Sequence, residues 1–379
     1  MDHPIYLDYN ATTPVDSRVL EAMLPWFSEQ FGNAASRTHR YGWEAAEAVE
    51  EARRQVAHLI GGTEKEIVFT SGATESNNLA LLGAFEASKK THIITVQTEH
   101  KTILDVCLHL EKTGAELTYL APDSDGLITA EQVFKAIRPD TALVSVMWVN
   151  NETGVIQPVR EIARVCRENQ ILFHTDATQA VGKVPIYVAA DGIDLLSLSA
   201  HKLYGPKGIG ALYVRKQTPL AIQMHGGNHE RGRRSGTLNV PAIVGFGKAC
   251  SLANPIQHQT LGSLRDRLES GILQHISGSY VNGSVTARVP HVSNIAFNQI
   301  DGEALLLNLT KIAVSNGSAC TSASVNPSHV LKAMGLDDAL AYASIRFSLG
   351  RYTTADDIDF TIRHLIEIVA RTRSGFIAF

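Results

Sequence analysis

Short apolar, β-branched segments alternate with longer amphipathic segments between about residues 65 and 215. The apolar segments predict strands, and the amphipathic segments between them predict helices. The predicted strands are Glu66–Thr70, His92–Val96, Glu116–Leu120, Ala142–Trp148, Ile171–His174, Ile193–Ser197 and Gly210–Val214. The predicted helices include Glu75–Ser88, Thr102–Thr113, Ala130–Ile137 and Val159–Asn169. Because strands such as Ile171–His174 lack polar alternation, they indicate a mostly parallel sheet buried under helices on both faces.

The pattern changes after Pro255, where longer helical segments and few strands predict a smaller α+β domain. We expect helices at Leu261–Ile276, Gly302–Leu309, Pro327–Met334 and near the end of the chain, with strands at Ser293–Asn298 and Ser344–Ser348. We therefore divide the chain into a large domain of residues 15–254 and a small domain of residues 1–14 plus 255–379. The small domain carries a loop of small residues from Ser315 to Asn326, and a second long loop is expected at Gly226–Gly236.

Composition excludes several classes of protein. The 379 residues include 34 Lys plus Arg and 38 Asp plus Glu, so a formal charge of −4 provides no basic field for nucleic acid or an anionic membrane. No apolar run approaches the ~20 residues that span a bilayer. The four cysteines form no C-x-x-C pair and no zinc-type cluster, and the N-terminus lacks a secretory signal pattern. These features predict a cytoplasmic protein with reduced thiols.

Three segments that follow predicted strands carry candidate chemistry. In Phe69–Ser76, Gly72 permits a sharp turn into a helix whose free N–H groups suit a phosphate, although a simple capped turn fits equally well. Asp176 follows a buried strand at the expected ligand edge of the sheet, where it serves as a ligand or as a helix cap. Lys202 follows the next strand, a position that an ordinary surface lysine also occupies. Together a lysine, an acid and an anion cradle match the needs of pyridoxal phosphate.

The sequence resembles the cysteine desulfurases, which are fold-type I, class V aminotransferase-like enzymes. The match runs nearly end to end and is closer to the NifS/IscS branch than to the SufS branch. It is carried by Leu7–Pro14, Thr70–Asn77, Thr98–His100, Val149–Gly154, Asp176–Gln179, Ser197–Lys202, Arg234–Thr237, Gly317–Ser322, Pro327–Leu331 and Ser344–Ser348. The resemblance implies an α/β homodimer that contains pyridoxal 5'-phosphate and converts L-cysteine to L-alanine. The sulfur is then passed on to an iron–sulfur scaffold or another acceptor.

The resemblance also implies roles for individual residues. Lys202 binds the cofactor as a Schiff base, and His100 stacks on its ring. Asn151 and Arg346 lie near the substrate, where an Arg fork suits a carboxylate. The other cofactor-binding residues are Ala73, Thr74, Asn151, Asp176, Gln179, Ser199, His201 and, from the partner subunit, Thr237. For Arg346 the alternative is a pair with an internal acid.

Cys320 is the implied sulfur acceptor and forms a persulfide. Its small neighbours suit a mobile loop, and His100 is a candidate base for its thiol. Cys107, Cys166 and Cys250 lie among apolar residues of helical segments and are expected to pack in the core. Cys320 is also a candidate transient ligand of an iron–sulfur cluster, and no other metal site is expected.

Other functions remain open at this point. They are a selenocysteine lyase, another class V pyridoxal-phosphate enzyme such as an aminotransferase, and a non-catalytic sulfur-binding subunit. The chain ends at Phe379, soon after its last predicted helix, whereas many relatives carry a longer tail that meets the scaffold. Docking to a scaffold is therefore a weaker expectation than the desulfurase chemistry.

Overall fold

Strands of apolar and β-branched residues, buried on both faces, form the centre of the protein. The computed structural model describes residues 3–253, 257–316 and 327–374. The strands in these ranges are β1 Ile5–Tyr6, β2 Ile67–Thr70, β3 His92–Val96, β4 Glu116–Leu120, β5 Thr141–Ser145, β6 Leu172–Asp176, β7 Leu195–Ser199, β8 Gly210–Val214, β9 Ser279–Val281, β10 Val292–Phe297, β11 Ile312–Ala313 and β12 Ser344–Ser348. The helices before residue 254 are α1 Ser17–Met23, α2 Pro25–Ser28, α3 Arg40–Leu59, α4 Ala73–Ala87, α5 Lys101–Lys112, α6 Ala130–Ala136, α7 Val159–Glu168, α8 Val188–Asp191 and α9 Val240–Ser251. The later helices are α10 Gln257–His275, α11 Gly302–Asn308, α12 His329–Ala333, α13 Asp338–Tyr342 and α14 Ala355–Arg373.

The largest of the three sheets in the described residues has seven strands, in the order β2-β8-β7-β6-β5-β3-β4. Strands β7, β6, β5, β3 and β4 are parallel, and β8 runs antiparallel to both β7 and β2. The carboxyl ends of β2, β3, β5, β6 and β7 therefore meet at one edge, which is where ligands bind in open α/β sheets.

Helices cover both faces of this sheet. On one face α3 packs against α9, and α7 contributes Ile162 and Cys166 to the same core. On the other face α4 packs against α5, and Cys107 is buried there among leucine, isoleucine and valine side chains. The expected mostly parallel, doubly covered sheet is confirmed.

A second apolar core includes residues from both ends of the chain. Leu7 packs in one cluster with side chains between Leu261 and Val369, and β1 pairs with β11. A three-stranded antiparallel sheet, β12-β10-β9, and the helices α10 and α14 surround this cluster. Thr354 and Asp357 form a capping box that fixes the start of α14. The division at residue 254 stays a prediction, since 254–256 lie outside the described ranges.

Four predicted strands have the bounds that the structure gives them: His92–Val96, Glu116–Leu120, Gly210–Val214 and Ser344–Ser348. The predicted strands Ile171–His174 and Ile193–Ser197 correspond to β6 and β7, which begin and end later than predicted. Asp176 and Ser199 are therefore the last residues of β6 and β7. The predicted strand Ala142–Trp148 ends at Ser145 instead. The predicted loop Gly226–Gly236 holds one short 3-10 turn, His229–Gly232. No helix within the described ranges is both long and apolar enough to cross a bilayer.

Candidate active site

A cavity of about 670 Å³ lies at the carboxyl ends of the parallel strands. Ten of the residues singled out from the sequence line it: Ala73, Thr74, His100, Asn151, Asp176, Gln179, Ser199, His201, Lys202 and Arg346. Thr237 is exposed and does not line the cavity of its own chain. The predicted Cys320 loop falls largely in 317–326, which is outside the described residues.

One end of the cavity is suited to an anion. Gly72 has a φ of 152° at the N-cap of α4 and supplies no capping side chain, so the first N–H groups of this fifteen-residue helix face the cavity without an intrahelical acceptor. Glu75 does not compete for these donors, because its carboxylate binds Arg234 and the backbone N–H of Ser71. Ser199 lines the same part of the cavity wall.

A buried carboxylate lies on another wall of the cavity. Asp176 is 5% exposed; its Oδ1 accepts the backbone N–H of Thr178 at 2.9 Å, and its Oδ2 accepts Asn77 Nδ2 at 2.8 Å. Asn77 is fully buried on α4 and therefore ties this helix to the end of β6. The carboxylate is held by donors on two sides and is available for a cationic ring nitrogen.

Lys202 is positioned by the N-terminal arm of the chain. It lies in a 3-10 turn directly after β7, and Nζ donates to the carbonyl oxygens of Asn10 at 2.5 Å and Ala11 at 2.7 Å. The neighbouring His201 contacts Thr12 Oγ1 through Nδ1 at 3.1 Å. Burial and nearby cations lower the pKa of His201 to about 4, so its ring is neutral at physiological pH.

His100 is the N-cap of α5 and lines the cavity. Its Nδ1 accepts the backbone N–H of Thr102 at 3.2 Å and lies 2.9 Å from Thr102 Oγ1. Burial is the main cause of a lowered pKa, and the positive charge of Lys202 acts in the same direction. The neutral ring is therefore the favoured form of His100.

Arg346 reaches the cavity from the second core. Its Nη2 donates to Asp8 Oδ1 at 2.6 Å and its Nη1 to the carbonyl oxygen of Asn151 at 2.9 Å. The pair with an internal acid, which was the alternative for this residue, is thus present. Within the described part of the chain, the buried Nε–H of Arg346 has no hydrogen-bond acceptor, and Asn151 Oδ1 has no hydrogen-bond donor.

Sequence reasoning gave no role to several residues that line the cavity or lie behind its wall. Asn10 and Ala11 lie in a segment that resembles the family, but no local pattern indicates that their carbonyls reach Lys202. Asn77 looks like any polar residue in a helix. Glu152 and Ser328 are joined by a hydrogen bond between the two cores. Only the contact between distant segments identifies these residues.

The residues present fit pyridoxal phosphate. Its phosphate needs the donors at the start of α4, its ring nitrogen needs an acid such as Asp176, and its aldehyde carbon needs an amine such as Lys202. Buried polar atoms in this region, Asn10 Oδ1, Asn151 Oδ1 and Thr178 Oγ1, have no hydrogen-bond partner within the described residues. A polar ligand would satisfy such atoms. The fold and the cavity thus define a fold-type I pyridoxal-phosphate enzyme.

Comparison with known proteins agrees with this class. The class-V aminotransferase family matches residues 5–360, and the chain belongs to that family. It is 54% identical to a cysteine desulfurase IscS of Anaeromyxobacter dehalogenans (strain 2CP-C), over 98% of this chain and 94% of that protein. It is 55% identical to the cysteine desulfurase IscS of Mannheimia succiniciproducens, with the same coverage of both chains.

Solved structures give the same answer about the fold. A NifS-like protein superimposes with a TM-score of 0.91 at 38% identity, over 97% of this chain and 99% of that one. The structure of SspA in complex with cysteine superimposes with a TM-score of 0.84 at 42% identity, over 92% of this chain and all of that one. The fold-type I expectation is confirmed.

Proposed function

We propose that the protein is a pyridoxal-phosphate-dependent cysteine desulfurase that converts L-cysteine to L-alanine and transfers the sulfur to Cys320. The observation that carries this proposal is the cavity that combines Lys202, Asp176 and the α4 turn with Arg346. Identity of 54–55% to cysteine desulfurases over 98% of the chain supports the same reaction.

The cofactor would be held by residues on four elements. Lys202 would bind it covalently, and Asp176 would keep its ring nitrogen protonated. Gln179 would donate to the ring oxygen. The N–H groups of Ala73 and Thr74, with Ser199 and His201, would bind the phosphate. Bound in this way, pyridoxal phosphate supplies an electron sink that allows the Cα–H bond of an amino acid to ionise.

Arg346 and Asn151 would bind and orient the substrate. The Nε–H group of Arg346 is a buried donor that a substrate carboxylate can satisfy, and Asn151 Oδ1 is an acceptor for its amine. Asp8 keeps the guanidinium in place through Nη2. This arrangement orients an α-amino acid before its sulfur reacts.

Cys320 remains the proposed sulfur acceptor. Burial raises the pKa of Cys107 and of Cys166 to about 12 and also raises that of Cys250, which makes these three thiols poor nucleophiles. Both flanks of the segment that contains Cys320 are anchored at the cavity. Ser315 pairs with Arg346, and Ser328 donates to Glu152.

The proposed transfer balances without an external oxidant. The Cβ–S bond of L-cysteine breaks and an S–S bond forms on Cys320, so that alanine and an enzyme persulfide replace cysteine and a thiol. A thiol reductant, or a thiol of an acceptor protein, then takes the outer sulfur. An iron–sulfur scaffold or another sulfur acceptor in the cytoplasm is the proposed partner.

A homodimer is proposed together with this activity. Thr237 is exposed and lies away from the cavity of its own chain, which suits a contact with the cofactor of a second copy. Aromatic side chains on the surface, such as Phe31 and Tyr41 with ring centroids 5.3 Å apart, are 63% and 51% exposed and provide an apolar area that a second copy can cover.

The test is incubation of the cofactor-loaded protein with L-cysteine and a thiol reductant, with alanine and sulfide measured together. Equal amounts of both support the proposal, and absence of alanine overturns it. Cys320→Ser should retain the visible band of the bound cofactor and lose alanine formation, whereas Lys202→Ala should lose that covalent band. Full turnover by Cys320→Ser would exclude Cys320 as the sulfur acceptor. If the wild-type protein turned over selenocysteine but not cysteine, it would be a selenocysteine lyase instead.

A further inference from the structure

A hydrogen-bond chain beside the cavity connects Asp176 with His100. Asn77 Nδ2 lies 2.8 Å from Asp176 Oδ2 and 2.8 Å from Thr102 Oγ1. Thr102 Oγ1 in turn lies 2.9 Å from His100 Nδ1. Asn77 is fully buried, and Thr102 is partly buried at the start of α5. The four side chains thus join three elements of the large sheet and its helices.

The direction of each hydrogen bond follows from chemistry. An ionised carboxylate only accepts, so the nitrogen of the Asn77 amide faces Asp176, and its second N–H is directed at Thr102 Oγ1. The Thr102 hydroxyl accepts that bond and has its own hydrogen left for His100 Nδ1. The backbone N–H of Thr102, which can only donate, also faces Nδ1 at 3.2 Å. The backbone N–H of Thr102 therefore requires Nδ1 to be an acceptor, and the Thr102 hydroxyl hydrogen can donate to the same atom.

This requirement determines the state of the ring. A neutral imidazole carries its proton on one nitrogen only, so an accepting Nδ1 places the proton on Nε2. Burial favours the neutral ring by lowering the pKa of His100. Of the charged and titratable groups around the ring, Lys202 and His329 act in the same direction, whereas Asp176 and Asp105 oppose it.

We propose that Asn77 and Thr102 are positioning residues that hold His100 as the neutral Nε2–H tautomer. In this state Nε2 is a hydrogen-bond donor toward the cavity. In the framework of the proposed desulfurase reaction, on which this interpretation rests, resting His100 is not the base for the Cys320 thiol. It instead polarises an electron-rich atom of the substrate or cofactor, a role that neutral histidine has in other enzymes. The sequence expectation of His100 as that base is replaced by this proposal.

The test is ¹⁵N NMR of the resting holoenzyme with ring-labelled histidine, with the His100 signals assigned by their loss in His100→Gln. We expect a pyrrole-like Nε2 and a pyridine-like Nδ1 near neutral pH. The reverse pattern, or an imidazolium pair, would overturn the proposal. The measurement needs no turnover, so it is independent of the cysteine-to-alanine assay, whose failure would overturn the proposed function alone.

Substitutions at Thr102 separate positioning from simple packing. Thr102→Val keeps the shape but removes one donor to Nδ1, and the ratio of imidazolium to neutral His100 at a given pH should rise about fivefold, as expected for loss of one hydrogen bond. Thr102→Ser retains the hydroxyl and should restore the wild-type titration. If His100 titrates in both the Val and the Ser variant as it does in the wild type, Thr102 only packs against its neighbours. The proposed hydrogen bond from its hydroxyl to His100 Nδ1 is then wrong.

Discussion

Lys183 donates a hydrogen bond from Nζ to Gln179 Oε1 over 2.7 Å. The other end of the same amide donates from Nε2 to the carbonyl oxygen of Asn10 at 3.0 Å. Lys183 therefore determines which end of Gln179 donates toward the cavity. Burial, with the charges of Lys202 and Arg346, lowers the pKa of this amine to about 7.

Lys183→Met should raise the pH midpoint of the visible absorption band of the holoenzyme by about 0.5–1 unit. The reason is that an amine that is charged below about pH 7 is lost, together with the orientation that it gives to one donor near the cofactor. A spectrophotometric pH titration measures the midpoint. Lys183→Arg, which keeps a donor and a charge, is the matched control, and equal midpoints for Met and wild type would contradict the orienting role.

Glu152 should make the folded protein less stable as pH rises from about 4.5 to about 7. Burial raises its pKa from 4.5 to about 7, with the Ser328 hydrogen bond acting against the shift, so the folded state binds more protons than the unfolded state in this window. The effect is at most about 3 kcal/mol. Denaturant titrations at pH 5 and pH 7.5 measure the loss of unfolding free energy between these two pH values. This loss should be smaller for Glu152→Gln than for the wild type.

The control for this experiment is Glu131→Gln, because Glu131 is an exposed carboxylate whose pKa is lowered by Lys135. It should leave the loss between the two pH values nearly as in the wild type. If Glu152→Gln loses as much unfolding free energy between pH 5 and pH 7.5 as the wild type, Glu152 is ionised throughout this range.

Arg53→Met should lower the free energy of unfolding by about 3–5 kcal/mol, since it leaves the Glu230 carboxylate buried and unpaired. The guanidinium binds both oxygens of Glu230, at 2.6 and 2.8 Å, and the two side chains are 3% and 1% exposed. Chemical denaturation measures the loss. Arg54→Met, at the exposed pair with Glu51, should change stability by less than about 1 kcal/mol.

The double variant Arg53→Met with Glu230→Met distinguishes pairing from packing. Removal of both charges should restore part of the stability, because no buried charge is left without a partner. If the double variant loses the sum of the two single losses, the ion pair is not the source of the effect.

Gly210→Ala should weaken binding of pyridoxal phosphate to the apoprotein. A Cβ at this position would lie 2.6 Å from the Leu198 carbonyl oxygen and 2.7 Å from Gly72 Cα, so the turn at the start of α4 must move. Equilibrium titration of the apoprotein measures the dissociation constant, and we expect an increase of at least tenfold. Gly262→Ala, whose Cβ meets Pro290 at an ordinary 3.4 Å, should bind the cofactor normally.

The sequence carries enough information for the sheet but not for all of its surroundings. Short apolar and aromatic runs predict β3, β4 and β8 with their bounds. Periodicity has no direction, however, so the antiparallel course of β8 is visible only in the structure. No element is predicted before residue 65, although α3 occupies Arg40–Leu59. Its charged, alanine-rich sequence has a modest apolar face that becomes recognisable once α9 covers it.

The residues of the site also fall into two groups, those that the sequence indicates and those that only the structure reveals. Lys202, Asp176 and the Gly72 turn follow strands, and their positions in the sequence indicate a common edge of the sheet. Asn77 and Lys183 lie within or beside helical segments and reach the cavity only through contacts with Asp176 and Gln179. Local pattern cannot reveal such contacts, because they depend on how separate elements pack.

The two ends of the chain meet at the cavity, and this has a consequence for biosynthesis. Asn10 donates its backbone N–H to Ser348 Oγ at 2.9 Å, and Asp8 binds Arg346, so segments more than 330 residues apart complete the wall beside Lys202. During translation the large sheet can form well before residue 346 leaves the ribosome. We therefore expect nascent chains that end before this point to fold in part but to retain the cofactor poorly, so that stable cofactor capture follows synthesis of nearly the whole chain.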